Sequence, residues 1–204
     1  MPDVKHFDVT AALDAVVALF WRNGMAATGI QDITAATGLN RSSLYATFGN
    51  KQSLYVSALR RYIDTWATPA FRHLTDSDRG LAAITDFFDA LIRLRCESPF
   101  AGWGCMVANA NAGIEVRDPE IREFLDRHHL QLRAALRAAL ETARRQEQLP
   151  ADTDLDAAAD MLVSLTYALN LRSRSDADAA ALREIAARTI ASIGGKTGPG
   201  PSPA

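Results

Sequence analysis

Cysteine is nearly absent: in 204 residues only Cys96 and Cys105 occur. Two thiols cannot build the disulfide framework of a small secreted domain, and their spacing fits no zinc site. A reducing, cytoplasmic compartment is expected, with no metal. Long apolar runs are missing as well. No stretch reaches the 18 or so apolar residues that a membrane-spanning helix needs, so no membrane partner is expected. The opening MPDVKHFDVT lacks the basic, apolar and small-residue order of a secretory signal. No strand-like alternation runs beyond a few residues. No Ser-His-Asp or paired-carboxylate arrangement stands out, so no catalytic residue is assigned and no cofactor is expected. Gly195-Lys196-Thr197 matches the end of a phosphate-binding loop, but the glycine required upstream falls on Ile190. No strand precedes it either, which excludes that motif.

A positive charge excess is also lacking, for the formal net charge is −2. Its distribution is uneven. Residues 1–61 hold six basic side chains (Lys5, Arg22, Arg41, Lys51, Arg60, Arg61) against four acidic ones (Asp3, Asp8, Asp14, Asp32). That leaves a head of +2 on a body of −4. A mildly basic head localises phosphate attraction to one end.

What the chain does have is helical period, in a composition that is 48% hydrophobic and 23% charged, typical of a globular protein. Asp8 to Asn23 presents Ala12, Val16, Leu19 and Phe20 on one side and closes at Gly24. A longer helix from Lys51 carries Leu54, Tyr55, Leu59, Tyr62 and Trp66 and is expected to stop before Pro69, which lacks an amide donor. Arg79 to Glu97 carries a wide apolar stripe. Ser98 to Gly104 reads as a loop, followed by a short helix to about Ile114. Asp118-Pro119-Glu120 is a helix start, with Asp as cap and Pro in the first turn, and that helix is expected to reach about Gln148. Segments starting at Asp154 and Asp176 give two last helices. Residues 194–204, GGKTGPGPSPA, read as a disordered low-complexity tail.

The stretch with the most specific meaning is TGIQDITAATGLNRSSLYATFGNK, Thr28 to Lys51. Thr28 and Gln31 have capping-box spacing. Ile30, Ile33 and Thr37 share a face, and Gly38 suits a left-handed helix stop. Leu39 is an anchor in the turn, Asn40 an N-cap for the next helix, and Asn50 a cap for the one after. Leu44 and Phe48 face inward. Two short helices with a tight glycine turn form a helix-turn-helix, whose second helix enters the DNA major groove.

These residues carry a family likeness. The run from Phe20 to Tyr55 resembles the DNA-binding domain of tetracycline-repressor-like (TetR family) regulators. The matching features are Gly24, Thr28, Leu44-Tyr45, Phe48 and Lys51. The resemblance implies an all-α fold of about nine helices. An N-terminal three-helix helix-turn-helix domain (1–55) precedes a C-terminal helical ligand-binding and dimerisation domain (56–193). It implies a homodimer formed through the last two helices, with Met161, Leu162, Leu165, Leu169, Leu182, Ile185 and Ile190 as packing residues. It also implies a repressor of double-stranded, palindromic operator DNA. Effector binding in the body is then expected to shift the linking helix and release the heads.

Within this frame Arg41, at the start of the recognition helix, is the best candidate to read a base, because its guanidinium can bond guanine twice. Ser42 and Ser43 can reach bases or phosphates. Thr28, Tyr45 and Lys51 are phosphate candidates, with Thr47 and Gln31 of the same kind. A ligand site in the body is assigned to Trp66, Phe87, Phe88, Trp103, Cys105, Met106, Phe124 and Tyr167, with Phe71 nearby in kind. Few charges interrupt these stripes, which favours a small apolar or aromatic effector. Cys105 follows a glycine-rich loop near a helix start, where a thiol pKa can fall. This keeps open a helical enzyme or an electrophile- or redox-sensing protein acting through it. His128-His129 reads as solvated helix surface, since neighbouring helical positions diverge by about 100°.

Overall fold

The computed structural model describes residues 7–195, so most of the 194–204 tail lies outside the described residues. Every regular element among them is helical. The order is α1 (Val9–Asn23), α2 (Ile30–Thr37), α3 (Arg41–Phe48), α4 (Lys51–Tyr62), α5 (Thr68–Asp76), α6 (Leu81–Cys96), α7 (Met106–Ala112), α8 (Pro119–Arg145), α9 (Leu155–Arg172) and α10 (Ala179–Ile193). A π-helical turn, Ile63–Ala67, joins α4 directly to α5, so the described residues form nine separate rods. Short 3₁₀ turns follow α7 and α9.

The expected stop before Pro69 is overturned. The helix runs through it because the π-turn reorganises the hydrogen-bond ladder just upstream. Pro69 then sits in the first turn of α5, where a missing amide costs little. The long α8 ends at Arg145, a turn short of Gln148. Its last turn unwinds through Glu147 at φ 57°, and the Gln148 amide returns to the Ala143 carbonyl at 2.9 Å. Most helix starts follow the local chemistry. Asp8 accepts from the amides of Thr10 and Ala11, Asp118 from Glu120 and Ile121, Asp154 from Asp156 and Ala157, and Asp178 from Ala180 and Ala181. Each carboxylate satisfies orphan amides of a first turn and sits at its positive end.

The chain divides into two compact units. The first comprises, among the described residues, 7–67 and 105–125. Its core is built from Val16, Phe20, Trp21, Ile33, Leu44, Leu54, Tyr55 and Leu59, all essentially inaccessible. Phe20 meets the Tyr55 ring edge-on at 5.1 Å and Trp21 meets Tyr62 at 4.9 Å. Residues 105–125 join this core: the Asn109 side-chain amide donates to the Trp21 carbonyl at 3.4 Å, and Gln52 bonds Asp118. Burial, then the Glu115 charge, pushes the Tyr55 hydroxyl pKa up, so the phenol stays neutral.

The second unit comprises, among the described residues, 68–104 and 126–195. In it α6, α8, α9 and α10 enclose a core that includes Ile84, Phe88, Ile92, Leu136, Leu140, Ala159 and Leu162. Leu162, Leu169, Leu182 and Ile190 belong to this intrachain core, so they are not available to a second copy. The reason is periodicity: α9 and α10 each carry one apolar face inward and a thinner one outward. Met161, Leu171 and Ile185 are the exposed large apolar residues on them, at 40%, 62% and 48%.

Candidate nucleic-acid interface

The first unit presents α2, α3 and α4, whose ends are set by local capping. Gly38 takes the left-handed conformation at φ 68° and ends α2, its amide returning to the Thr34 carbonyl. A side chain there would be strained. Leu39 is half-buried in the turn. Asn40 then caps α3, its Oδ1 accepting from the Ser43 amide at 2.8 Å. Leu44 pins α3 into the core with no exposed surface. This fixes which side of α3 faces outward, because inward and outward positions on eight residues are set by one buried anchor. Asn50 caps α4 in the same way, accepting from Ser53 at 2.9 Å.

The cap of α2 differs from the sequence expectation. Gly29, not Thr28, is the N-cap, and the returning bond comes from Asp32: its Oδ2 accepts from the Gly29 amide at 2.7 Å. Gln31 takes no part in it. The Gly29-to-Asp32 spacing carried that signal one residue later than Thr28 to Gln31. Thr28 is fully buried and its hydroxyl donates to the Gly24 carbonyl at 2.7 Å. It braces the α1–α2 connection, and its side chain is withdrawn from any phosphate.

The remaining seven candidates are accessible. Gln31, Arg41 and Ser42 are exposed, while Ser43, Tyr45, Thr47 and Lys51 are half-buried. Arg41 and Ser42 occupy the first turn of α3. The Arg41 guanidinium carbon lies 5.4 Å from the centroid of the Tyr45 ring, one turn further on. A cation over an aromatic face is attracted by the ring quadrupole. That contact limits the rotamers of a long side chain and lowers the entropy cost of aiming it. Gln31 stands in the first turn of α2 and Lys51 opens α4. A further arginine, Arg61, is paired with Asp14 at 2.7 Å, which holds its guanidinium firmly charged.

The candidate ligand residues divide between the units. Trp66, Cys105, Met106 and Phe124 lie in the first, and Phe87, Phe88, Trp103 and Tyr167 in the second. In the first, Trp66 leans on Trp21 with centroids 5.7 Å apart, and the Tyr62 hydroxyl lies 3.5 Å from the Cys105 sulfur. Met106 is buried in the core and Phe124 is half-buried. In the second, Phe87 and Phe88 pack edge-to-face at 5.2 Å within the core, and Trp103 meets Phe100 at 5.3 Å. Tyr167 stacks on His129 at 6.0 Å. An open groove of about 830 Å³ in the second unit, lined by Leu81, Thr85, Gln148, Leu149 and Ile190 among others, includes none of these eight. The His128-His129 expectation is overturned for its first member. His128 is buried, because its face of α8 points at Phe71, and burial with the neighbouring His129 pushes its pKa down to about 4.

Comparison with known proteins matches two stretches of the chain. Residues 12–58 match the family described as bacterial regulatory proteins, tetR family, and residues 80–189 match the tetracyclin repressor-like C-terminal domain. The chain is 28% identical over 187 residues to the HTH-type transcriptional repressor ComR of Escherichia coli K12, covering 91% of this chain and 89% of ComR. A cysteine mutant of the TetR family regulator CifR, solved with 26-base-pair double-strand operator DNA, superposes with a TM-score of 0.81 at 20% identity. That alignment covers 93% of this chain and 98% of CifR. A TetR family regulator from Agrobacterium tumefaciens gives a TM-score of 0.79 at 18% identity, covering 90% and 95%. These structural likenesses establish the fold.

Proposed function

This chain belongs to the TetR family of bacterial transcriptional regulators, a DNA-binding family and not an enzyme family, and from that premise we infer that it is an operator-binding repressor released by a small effector. The observation that carries this reading is the first turn of α3. An exposed arginine and an exposed serine stand in the first turn of a helix that Leu44 anchors in the core. Helix-turn-helix proteins read base edges from that position. Arg41 contacts a guanine, and Ser42, Ser43, Tyr45, Thr47, Gln31 and Lys51 hold the register on the phosphates. The description of its relative ComR as a transcriptional repressor supports repression as the direction of control.

The operator is palindromic and the protein is a homodimer, joined through the outward faces of α9 and α10 at Met161, Leu171 and Ile185. Two heads at a fixed spacing read half-sites about one helical turn, or a multiple of it, apart. The head belongs to residues 1–55 and the effector and dimer functions to 56–193. The effector is small and apolar or aromatic. It drives release only through its different affinity for the DNA-binding and DNA-free states. The two free cysteines, Cys96 and Cys105, and the lack of a helix long and apolar enough to cross a membrane among the described residues fit action in the cytoplasm. Binding of the purified protein to DNA from its own promoter region, with a scrambled sequence as competitor, tests the reading. Equal affinity for both DNAs contradicts it.

One observation favours a second mode of release. Cys105 stands at the N-cap position of α7, its sulfur making no capping bond but lying 3.5 Å from the Tyr62 hydroxyl, inside the same unit as the DNA-reading helices. Addition of the Cys105 thiol to a ring carbon of a quinone, with the thiol proton and the displaced ring proton passing to the two quinone oxygens, gives a thioether-bearing hydroquinone and disturbs that contact. Cys105→Ser then abolishes release by a quinone; release by quinone from the serine variant at the wild-type concentration rules this mode out.

A further inference from the structure

The second unit buries a polar atom that no described residue bonds. Nδ1 of His128, on α8, is sealed from solvent and has no hydrogen-bond partner among the described residues. The residue as a whole is only 6% exposed. Buried polar groups in native proteins are nearly always paired, and each exception calls for a partner outside the chain or a functional reason.

The surroundings define what such a partner must be. Phe71 of α5 lies against the His128 ring, with centroids 5.2 Å apart and planes at 39°. One residue on, His129 stacks almost parallel on Tyr167 of α9 at 6.0 Å. Phe71 and Tyr167 are both half-buried against the main core cluster. Phe71 is thus the ring that lies against the orphaned side chain, and the His129–Tyr167 pair follows one residue further along α8. Burial keeps the His128 imidazole uncharged near neutral pH, so it offers a hydrogen bond but no charge to an anion. Arg133 is already committed to Asp156 at 2.9 Å and to Asp160 at 2.5 Å.

We propose that Nδ1 of His128 is the polar anchor of the effector site, and that the effector is a neutral aromatic molecule with one hydroxyl or N–H, its ring lying against Phe71. The proposal rests on the reading of the chain as an effector-released repressor, and supplies the chemical class that reading leaves open. A single hydrogen bond in an aromatic setting selects among ring compounds by polarity. An apolar ring of the same shape leaves the nitrogen unpaired, and a carboxylate loses its hydration without gaining a cation.

Titration calorimetry on the full chain with phenol, toluene and benzoate tests this. Phenol is expected to bind at least fivefold more tightly than either of the others. His128→Phe is expected to erase the preference for phenol over toluene, and Phe71→Leu to weaken both alike. Should His128→Phe not fold, the ¹⁵N resonance of His128 Nδ1 in the wild-type protein gives the same information: it moves on addition of phenol and not of toluene. Equal binding of phenol and toluene, with water alone satisfying Nδ1, overturns the proposal. So do tighter benzoate binding, no binding of any probe at millimolar concentration, a preference that survives in His128→Phe, and an unmoved resonance. Operator binding measured without any probe keeps the two readings apart. Its loss counts against the repressor, while the probe preferences alone decide the anchor.

Discussion

Thr28→Val separates bracing from DNA contact at one residue. The Thr28 side chain is fully buried and its hydroxyl donates to the Gly24 carbonyl at 2.7 Å. Gly24 ends α1 at φ 79°, so this bond ties the close of one helix to the approach of the next. Valine keeps the shape and removes the donor. The net loss of such a bond is about 1 kcal/mol, rising to about 3 kcal/mol if the carbonyl stays unpaired. For a chain of this size each kcal/mol lowers the melting temperature by about 2–4 °C. Thermal unfolding followed by circular dichroism should therefore show a fall of roughly 2–12 °C. Operator affinity at 25 °C should change less than twofold, because no phosphate bond is lost. A phosphate-bonding Thr28 gives the opposite pattern. Losing about 1 kcal/mol per protomer costs a dimer on the order of tenfold or more in affinity. An unchanged melting temperature with such a loss refutes the bracing role.

Two further outcomes follow from the second unit. His128 has a folded-state pKa near 4 against an ordinary value of 6.5, lowered first by burial and then by His129. The unfolded chain binds the proton more readily, so stability is whole above about pH 6.5 and is lost as pH falls towards 4, by about 3 kcal/mol in all. Urea midpoints measured between pH 7 and 4 should decline over that window, and His128→Phe should flatten the decline; a slope identical in the variant contradicts the assignment. Ile185→Asp places a charge on the exposed face of α10. Sedimentation should show a monomer with unchanged helical content, and operator affinity at least tenfold weaker, whereas a persistent dimer removes α10 from the interface.

Local chemistry made much of the fold legible in the sequence. Asn40, Asn50 and Asp118 cap the helices that their positions suggest, because a side-chain oxygen next to orphan amides acts within three residues. Gly38 likewise stops α2 through its own backbone freedom. What was not legible depends on contacts distant in sequence. Pro69 reads as a stop, and it is the π-turn before it that lets the helix continue. Thr28 has the composition of a cap, yet packing turns its hydroxyl to Gly24. The His128-His129 pair looks polar on paper, while Phe71, far away in sequence, decides that the first ring is buried. In the DNA-reading region, Arg41 and its place on α3 were visible in the sequence, and the stack of Arg41 on Tyr45 follows from their four-residue spacing once α3 is a helix. The separation of inward Leu162, Leu169, Leu182 and Ile190 from outward Met161, Leu171 and Ile185 needed the core itself.

The most direct test of the repressor reading is the affinity of the wild-type protein and of Arg41→Ala for promoter-region and scrambled DNA across a salt series. Arg41 is exposed and outside the core, so the substitution should leave the melting temperature within about 1–2 °C, as is usual for a surface change. The wild-type protein should prefer the promoter DNA, and its affinity should fall steeply with salt. Arg41→Ala should lose about 1–3 kcal/mol per half-site on that DNA and little on the scrambled one. A wild-type protein with no sequence preference, or an Arg41→Ala variant that keeps the full preference, contradicts the account.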